Sequence, residues 1–171
     1  MKLALGTVQF GLRYGVANKT GQVERASIAA ILNRARLAGI NTMDTAISYG
    51  ESEASLGATG VRDWRIITKL PGLSESCTNV ASWVKDQVMS ALARLNVPRL
   101  KGLLLHRPEQ LIDSKSKKAL WTTLQGLRKD GIVEKIGFSI YDPTELDTLW
   151  SFYQPDLVQA PYNIFDRRLA M

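Results

Sequence analysis

The sequence contains little cysteine and no long hydrophobic segment. Cys77 is the only cysteine among 171 residues, which excludes an internal disulfide and favours a reducing compartment. No stretch approaches the roughly 18 apolar residues of a membrane span, and the amino terminus "MKLALGTVQFGL" lacks the unbroken apolar run of a secretory signal. The sequence therefore predicts a cytoplasmic protein, folded as a single domain over residues 1–171, that does not enter a membrane.

The densest basic run of the chain contains no aromatic residue. The net charge is +6, and the densest basic run consists of Lys115, Lys117 and Lys118. Binding of single-stranded nucleic acid combines such charge with aromatic side chains that stack on the bases, and none is interleaved here. We therefore predict no nucleic-acid partner, and a phosphate-rich small molecule explains the basic charge better.

Helical and strand patterns alternate along the chain. Apolar residues spaced by three and four predict helices over 24–38, Val80–Leu95 and 118–129, with Gly39 and Gly131 just beyond the first and third. A fourth helix is predicted to begin with Asp142 as its N-cap and Pro143 as its first residue. Its predicted buried stripe consists of Leu146, Leu149, Trp150 and Tyr153.

Six short apolar runs lie between these helices and predict parallel strands: "LALGT", "INTMDTA", "RIITKL", "KGLLLHR", "VEKIGFSI" and "DLVQAPYN". Two architectures accommodate this βα order, an open doubly wound sheet and an eight-stranded β/α barrel. The first strand is not followed by the Gly-x-Gly-x-x-Gly turn of a dinucleotide-binding open sheet. Polar residues at successive strand ends favour a barrel mouth instead: Thr7, Asp44, Lys69, His106, Ser139 and Gln159.

Four of these polar residues form a chemically coherent set. Each alone has a structural explanation, such as capping for Asp44 or a buried hydrogen bond for His106, but their convergence favours one shared site. Tyr49 would act as general acid toward a carbonyl oxygen, and the Lys69 ammonium is expected to lower its pKa. Asp44 would hold Lys69, and His106 would orient the substrate oxygen. The set contains no hydride source, so a cofactor is required; no metal site is predicted.

The chain resembles the aldo-keto reductases over essentially its whole length. The resemblance runs from "LALGTVQFG" through "GINTMDTAISYGESEASLG", "IITKL", "LLLHRPE" and "GIVEKIGFSI" to "LVQAPYNIFDRR". It implies an NADPH-dependent oxidoreductase with a TIM-type (β/α)8 barrel that reduces an aldehyde or ketone. The implied catalytic tetrad is Asp44, Tyr49, Lys69 and His106, with Tyr49 as proton donor. Ser139 and Gln159 are implied to hold the nicotinamide carboxamide, and Gly6, Thr7 and Asp44 to lie near the nicotinamide ribose.

Two departures from the family pattern accompany this resemblance. Ile140 stands where the family usually has an asparagine, so one carboxamide contact is expected to be missing or to be supplied by the backbone. The pattern also ends after the sixth strand, whereas such barrels have eight strands and about 250 residues. We therefore expect a barrel truncated to about six β/α units and weak or no NADPH binding by the chain alone. The open sheet edges are expected either to pair with a second copy or to be covered by the remainder of a longer chain. Two alternatives are a non-catalytic NADP(H)-binding scaffold or sensor subunit and a catalytically silent fragment.

Overall fold

Six parallel strands form one curved sheet in a computed structural model, which describes residues 3–113 and 115–168. The strands are β1 (Leu5–Gly6), β2 (Thr42–Asp44), β3 (Arg65–Leu70), β4 (Gly102–Leu105), β5 (Ile136–Ser139) and β6 (Leu157–Gln159). They lie side by side in the order in which they occur along the chain. A doubly wound sheet would reverse its strand order, so this sequential order confirms the barrel prediction.

Helices connect the strands and cover the outside of the sheet. Their bounds are α1 (Arg25–Leu37), α2 (Ser52–Thr59), α3 (Val80–Leu95), α4 (Gln110–Asp113), α5 (Lys117–Lys129) and α6 (Pro143–Trp150), with a short 3-10 helix at Val8–Phe10. The helices predicted over 24–38, 80–95 and 118–129 are confirmed to within one residue at each end. Gly39 and Gly131 have positive φ angles of 75° and 73°, as expected for glycines that end helices. No helix within residues 3–113 and 115–168 is both long and apolar enough to cross a membrane.

The start of α6 was predicted correctly, but one residue of its buried stripe was not. Asp142 is the N-cap and forms a reciprocal capping box with Glu145, and Pro143 is the first helical residue. Leu149 is fully buried, and Leu146 and Tyr153 are partly buried against the core. Trp150 is 52% exposed, so its predicted burial is wrong. Within the described residues, β6 is the last strand of the sheet.

The hydrophobic core lies between the sheet and its helices. The apolar faces of α3 and α5 are buried as predicted, and β4 and β5 are buried along their whole length. Parallel pairing aligns the carboxyl ends of the strands, so that Gly6 lies opposite Asp44 and Ser139 opposite Gln159. The fold therefore gathers the predicted polar residues at one end of the sheet.

Candidate active site

Most of the predicted site residues surround one cavity at the carboxyl end of the sheet. This cavity, of about 210 Å³, is lined by Tyr49, Lys69, His106, Ser139 and Gln159, together with apolar atoms of the β5 and β6 ends. Asp44 lies next to it and contacts it through Lys69. Gly6 and Thr7 do not line the cavity; they lie beside Asp44 at the end of β1.

Lys69 is the most buried member of this group. Its side chain is 3% exposed, and its ammonium donates hydrogen bonds to Asp44 Oδ1 at 2.6 Å, the Thr45 carbonyl at 2.9 Å and Tyr49 Oη at 3.3 Å. An ammonium has three hydrogens, so each can have one acceptor. Burial lowers the pKa of Lys69, and the Asp44 carboxylate opposes that change by favouring the charged form. The predicted pairing of Asp44 with Lys69 is therefore present.

Tyr49 is oriented by this lysine. An ammonium can only donate, so the Tyr49 oxygen must accept from Lys69, and the phenolic hydrogen is left free for another acceptor. Burial and the Asp44 carboxylate raise the pKa of Tyr49 to about 12. The predicted lowering of this pKa is wrong, because burial of the phenol disfavours the phenolate and the Asp44 carboxylate, 2.6 Å from the ammonium, offsets the positive charge of Lys69. Tyr49 is thus a phenol that keeps its proton at neutral pH.

His106 follows β4, which pairs directly with the strand that carries Lys69, and both side chains line the cavity. Its ring meets the Tyr49 ring edge-on, with 5.9 Å between centroids, and its Nδ1 is 3.1 Å from Ser48 Oγ. Burial lowers the pKa of His106, and the positive charges of Lys69 and Arg107 lower it further. The imidazole is therefore neutral at pH 7 and has a single N–H to donate.

The ends of β5 and β6 contribute neutral polar groups. Ser139 is 9% exposed, and the side-chain oxygen of Gln159 is buried without a hydrogen-bond partner among the described residues. A buried carbonyl oxygen without a donor costs free energy, and such an atom at a cavity fits a ligand that supplies an N–H. Ile140 is 1% exposed and offers no polar side-chain atom, so the asparagine contact of the family pattern has no side-chain equivalent here.

The hydroxyl of Thr7 is hydrogen-bonded to other groups of the protein. Thr7 is fully buried, and its hydroxyl donates to the Asp44 carbonyl at 2.9 Å and accepts from Ser52 Oγ at 3.1 Å. A Cβ placed on Gly6 would meet no atom within 4 Å, so space is open above the end of β1. The predicted proximity of Gly6 and Thr7 to a cofactor ribose stays a prediction, and the backbone N–H and carbonyl of Thr7, like its hydroxyl, are hydrogen-bonded within the protein.

Sequence reasoning missed Gly11, where the backbone after β1 packs directly against the backbone of the Tyr49 loop. Gly11 follows the 3-10 helix, and a Cβ there would lie 1.8 Å from the Tyr49 carbonyl oxygen and 2.4 Å from the Ser52 nitrogen. Any larger residue would push the two loops apart. The repeated glycines of "GTVQFG" were the available signal, but glycine spacing alone does not reveal which backbone approaches them.

Sequence reasoning also missed an ion pair outside the cavity between a buried glutamate and a partly exposed arginine. Glu53 on α2 is 1% exposed; it accepts from Thr68 Oγ1 at 2.7 Å and from Arg94 Nη2 and Nε at 2.7 and 3.0 Å. These bonds tie α2 to both α3 and β3. Since α2 follows the Tyr49 loop and Lys69 follows Thr68, the pair supports both catalytic candidates from outside the cavity. Buried glutamates are rare, and nothing in the periodicity of 52–59 marks Glu53 as one.

A second cavity of about 470 Å³ adjoins the first at His106 and Ser139. It is open to solvent and is lined by both charged and aromatic groups, including Arg107, Glu109, Tyr141 and Glu145. Tyr141 lines both cavities and is 69% exposed. Elsewhere among residues 3–113 and 115–168, no cluster of three or more histidine, cysteine or acidic residues could hold a metal ion.

Comparison with known proteins gives a consistent result. The sequence model described as "Aldo/keto reductase family" matches residues 2–170. The rat protein "Aflatoxin B1 aldehyde reductase member 2" is 27% identical over 96% of this chain and 45% of its own length. Among solved structures, PA4992 of Pseudomonas aeruginosa, assigned to the aldo-keto reductases, superimposes with a TM-score of 0.78 at 28% identity, over 96% of this chain and 64% of that one.

A Bombyx mori aldo-keto reductase solved in complex with NADP shares the fold, with a TM-score of 0.68 at 23% identity, over 94% of this chain and 54% of that one. The chain spans about half the length of the curated relatives it matches.

Proposed function

Because the chain belongs to the aldo/keto reductase family, we propose that it acts as an NADPH-dependent oxidoreductase that reduces an aldehyde or ketone, with Tyr49 as proton donor. The observation that carries this proposal is the hydrogen bond from Lys69 to Tyr49 Oη. It leaves the phenolic hydrogen free at the cavity, where a carbonyl oxygen would receive it.

Tyr49 transfers its proton as negative charge develops on the substrate oxygen. A phenol with a pKa of about 12 holds its proton at neutral pH, and an alkoxide is a strong enough base to take it. The phenolate that results faces the Lys69 ammonium at 3.3 Å, which stabilises it until it regains a proton from solvent. Asp44 keeps that ammonium charged in a buried position.

The neutral groups of β5 and β6 fit the carboxamide of a nicotinamide. The Gln159 side-chain oxygen is buried and lacks a donor within residues 3–113 and 115–168, and a carboxamide N–H would supply one. Ser139 lies opposite Gln159 in the sheet and lines the same cavity. The chemistry that the cofactor supplies when bound is donation of hydride to the carbonyl carbon. Other aldo-keto reductase structures that contain NADP favour NADPH as this cofactor.

We propose that the chain also associates with a second copy of itself. Within the described residues, β1 and β6 each pair on one side only. Large apolar side chains are exposed near β6, among them Phe152 at 77%, Ile164 at 82% and Phe165 at 96%. Edge strands next to exposed apolar groups are templates for pairing with another chain. Light scattering over a range of micromolar concentrations tests this, and a constant monomeric mass would contradict it.

The proposed activity is tested by incubating the protein with NADPH and an aldehyde at the concentration where it is associated. We expect NADPH absorbance to fall only when aldehyde is present, with one alcohol formed for each NADPH consumed. Saturable NADPH fluorescence without alcohol from either aldehydes or ketones would instead support the non-catalytic, cofactor-binding alternative.

A further inference from the structure

Ser48 makes a side-chain contact that neither the family pattern nor the proton-transfer chemistry requires. It precedes Tyr49 in the loop between β2 and α2, and its Oγ lies 3.1 Å from Nδ1 of His106, which follows β4. Ser48 is exposed, so its side chain is not there to fill the core. The contact joins two loops that are separated by 58 residues.

The backbone around Ser48 holds its hydroxyl in place. The Ile47 N–H donates to the Lys69 carbonyl at 3.2 Å, which fixes the loop to the end of β3. The Tyr49 N–H donates to the Ala46 carbonyl at 3.0 Å, which closes a turn around Ser48. Ser48 therefore faces His106 from a loop whose position is set on both sides.

A neutral imidazole has one ring nitrogen that accepts a hydrogen bond and one that carries a hydrogen and donates. Its Nδ1 is engaged by Ser48, and among the described residues Nε2 has no hydrogen bond. If the Ser48 hydroxyl donates to Nδ1, the ring hydrogen must lie on Nε2. A substrate carbonyl oxygen in the cavity would then have two donors, the Tyr49 phenol and the His106 Nε2–H.

We propose that Ser48 is a positioning residue that donates to Nδ1 and thereby holds His106 as the Nε2–H tautomer. Its use in orienting a carbonyl oxygen rests on the proposed function, whereas the tautomer itself is a property of the protein without substrate. Ser48 acts through His106 and does not touch the reacting atoms.

His106 is the only histidine, so its tautomer can be read without resonance assignment. The protein is labelled with ¹⁵N-histidine and examined by long-range ¹H–¹⁵N correlation at pH 8, where the ring is neutral. We expect a protonated Nε2 and an unprotonated Nδ1. In Ser48→Ala the Nδ1 resonance should move downfield, because it no longer accepts a hydrogen bond, and Ser48→Thr should restore the wild-type position.

A protonated Nδ1 in the wild-type protein would overturn the proposal, and so would an Nδ1 resonance unchanged in Ser48→Ala. Truncating an exposed side chain leaves no core cavity, and Ser48→Thr serves as the matched control that keeps the hydroxyl. If the spectra are as expected but the protein forms no alcohol, the role of Ser48 is supported and the proposed function is contradicted. If the protein forms alcohol but the Ser48→Ala spectrum is unchanged, the proposed function is supported and the role of Ser48 is contradicted.

Discussion

The two halves of the strand-end surface differ in how completely their polar groups are paired. At the ends of β2 to β4, Lys69 has three acceptors, Asp44 has its cation and His106 has Ser48. At the ends of β5 and β6, the buried Gln159 oxygen has no donor among the residues that the structure describes, and large aromatic side chains nearby are exposed. The first half forms a preorganised proton-transfer group, whereas the second presents a buried acceptor that is open to a donor from a ligand.

This difference explains why the two halves should respond differently to mutation. In the first half, removing one member leaves a buried partner uncompensated, which costs both stability and function. In the second half, removing an unpaired group costs little stability, because nothing in the protein depends on it. Mutations at the ends of β2 to β4 should therefore lower stability, whereas mutations of unpaired groups at the ends of β5 and β6 should lower cofactor affinity with little change in stability.

The largest expected change in stability comes from Arg94→Met. The Glu53 carboxylate, which supports the first half, would lose its cation and two hydrogen bonds while staying buried. Because Arg94 is about one third exposed, we expect a loss of about 2–3 kcal/mol in the free energy of unfolding, measured in urea. Arg107→Met is the control: its pair with Glu109 spans 3.8 Å and is exposed, so a change under about 0.5 kcal/mol is expected. Equal losses of unfolding free energy in Arg94→Met and Arg107→Met would contradict the supporting role of Glu53.

Gln159→Leu should separate binding from stability. Leucine keeps most of the side-chain volume but removes the buried oxygen, which has no hydrogen-bond partner in the described part of the chain. We expect NADPH affinity, followed by fluorescence, to fall about tenfold, which corresponds to about 1.4 kcal/mol for one lost hydrogen bond. The urea midpoint should stay the same or rise. Unchanged NADPH affinity would show that Gln159 does not contact the cofactor.

The smallest effect is expected at Asp156, in the turn before β6, and it depends on pH. Burial raises the pKa of Asp156, but the Ile136 N–H and the Arg128 guanidinium lower it more, so the folded-state pKa lies below the ordinary value. The stabilisation is therefore present above about pH 4 and is lost as the pH falls through the folded-state pKa. In Asp156→Asn we expect unfolding free energy lower by about 1 kcal/mol at pH 6, with the gap to wild type closing toward pH 3. A difference in unfolding free energy between wild type and Asp156→Asn that grows as the pH falls would contradict a lowered pKa for Asp156.

Strand order and the convergence of polar residues could be predicted from the sequence because both follow from local patterns. Apolar periodicity located α1, α3 and α5, and parallel pairing then required Asp44, Lys69, His106, Ser139 and Gln159 to share one end of the sheet. The short helix α2 escaped this method, because its buried side chains include Ser52 and Glu53 and carry no apolar period.

The electrostatic state of Tyr49 could not be predicted in the same way. The sequence placed an ammonium beside the phenol, but it did not give the competing carboxylate distance or the burial that reverses the pKa change. The Ser48 contact and the approach of Gly11 were missed for a similar reason, since both depend on how loops distant in sequence meet.

The proton-donor role of Tyr49 is tested most directly by Tyr49→Phe in the NADPH oxidation assay. The variant keeps the ring and removes only the hydroxyl that accepts from Lys69. We predict that aldehyde-dependent turnover falls by about 10²–10⁴-fold while NADPH affinity is nearly unchanged, because general acid catalysis acts only in the transition state. Turnover equal to that of the wild-type protein would contradict the assignment of Tyr49 as proton donor.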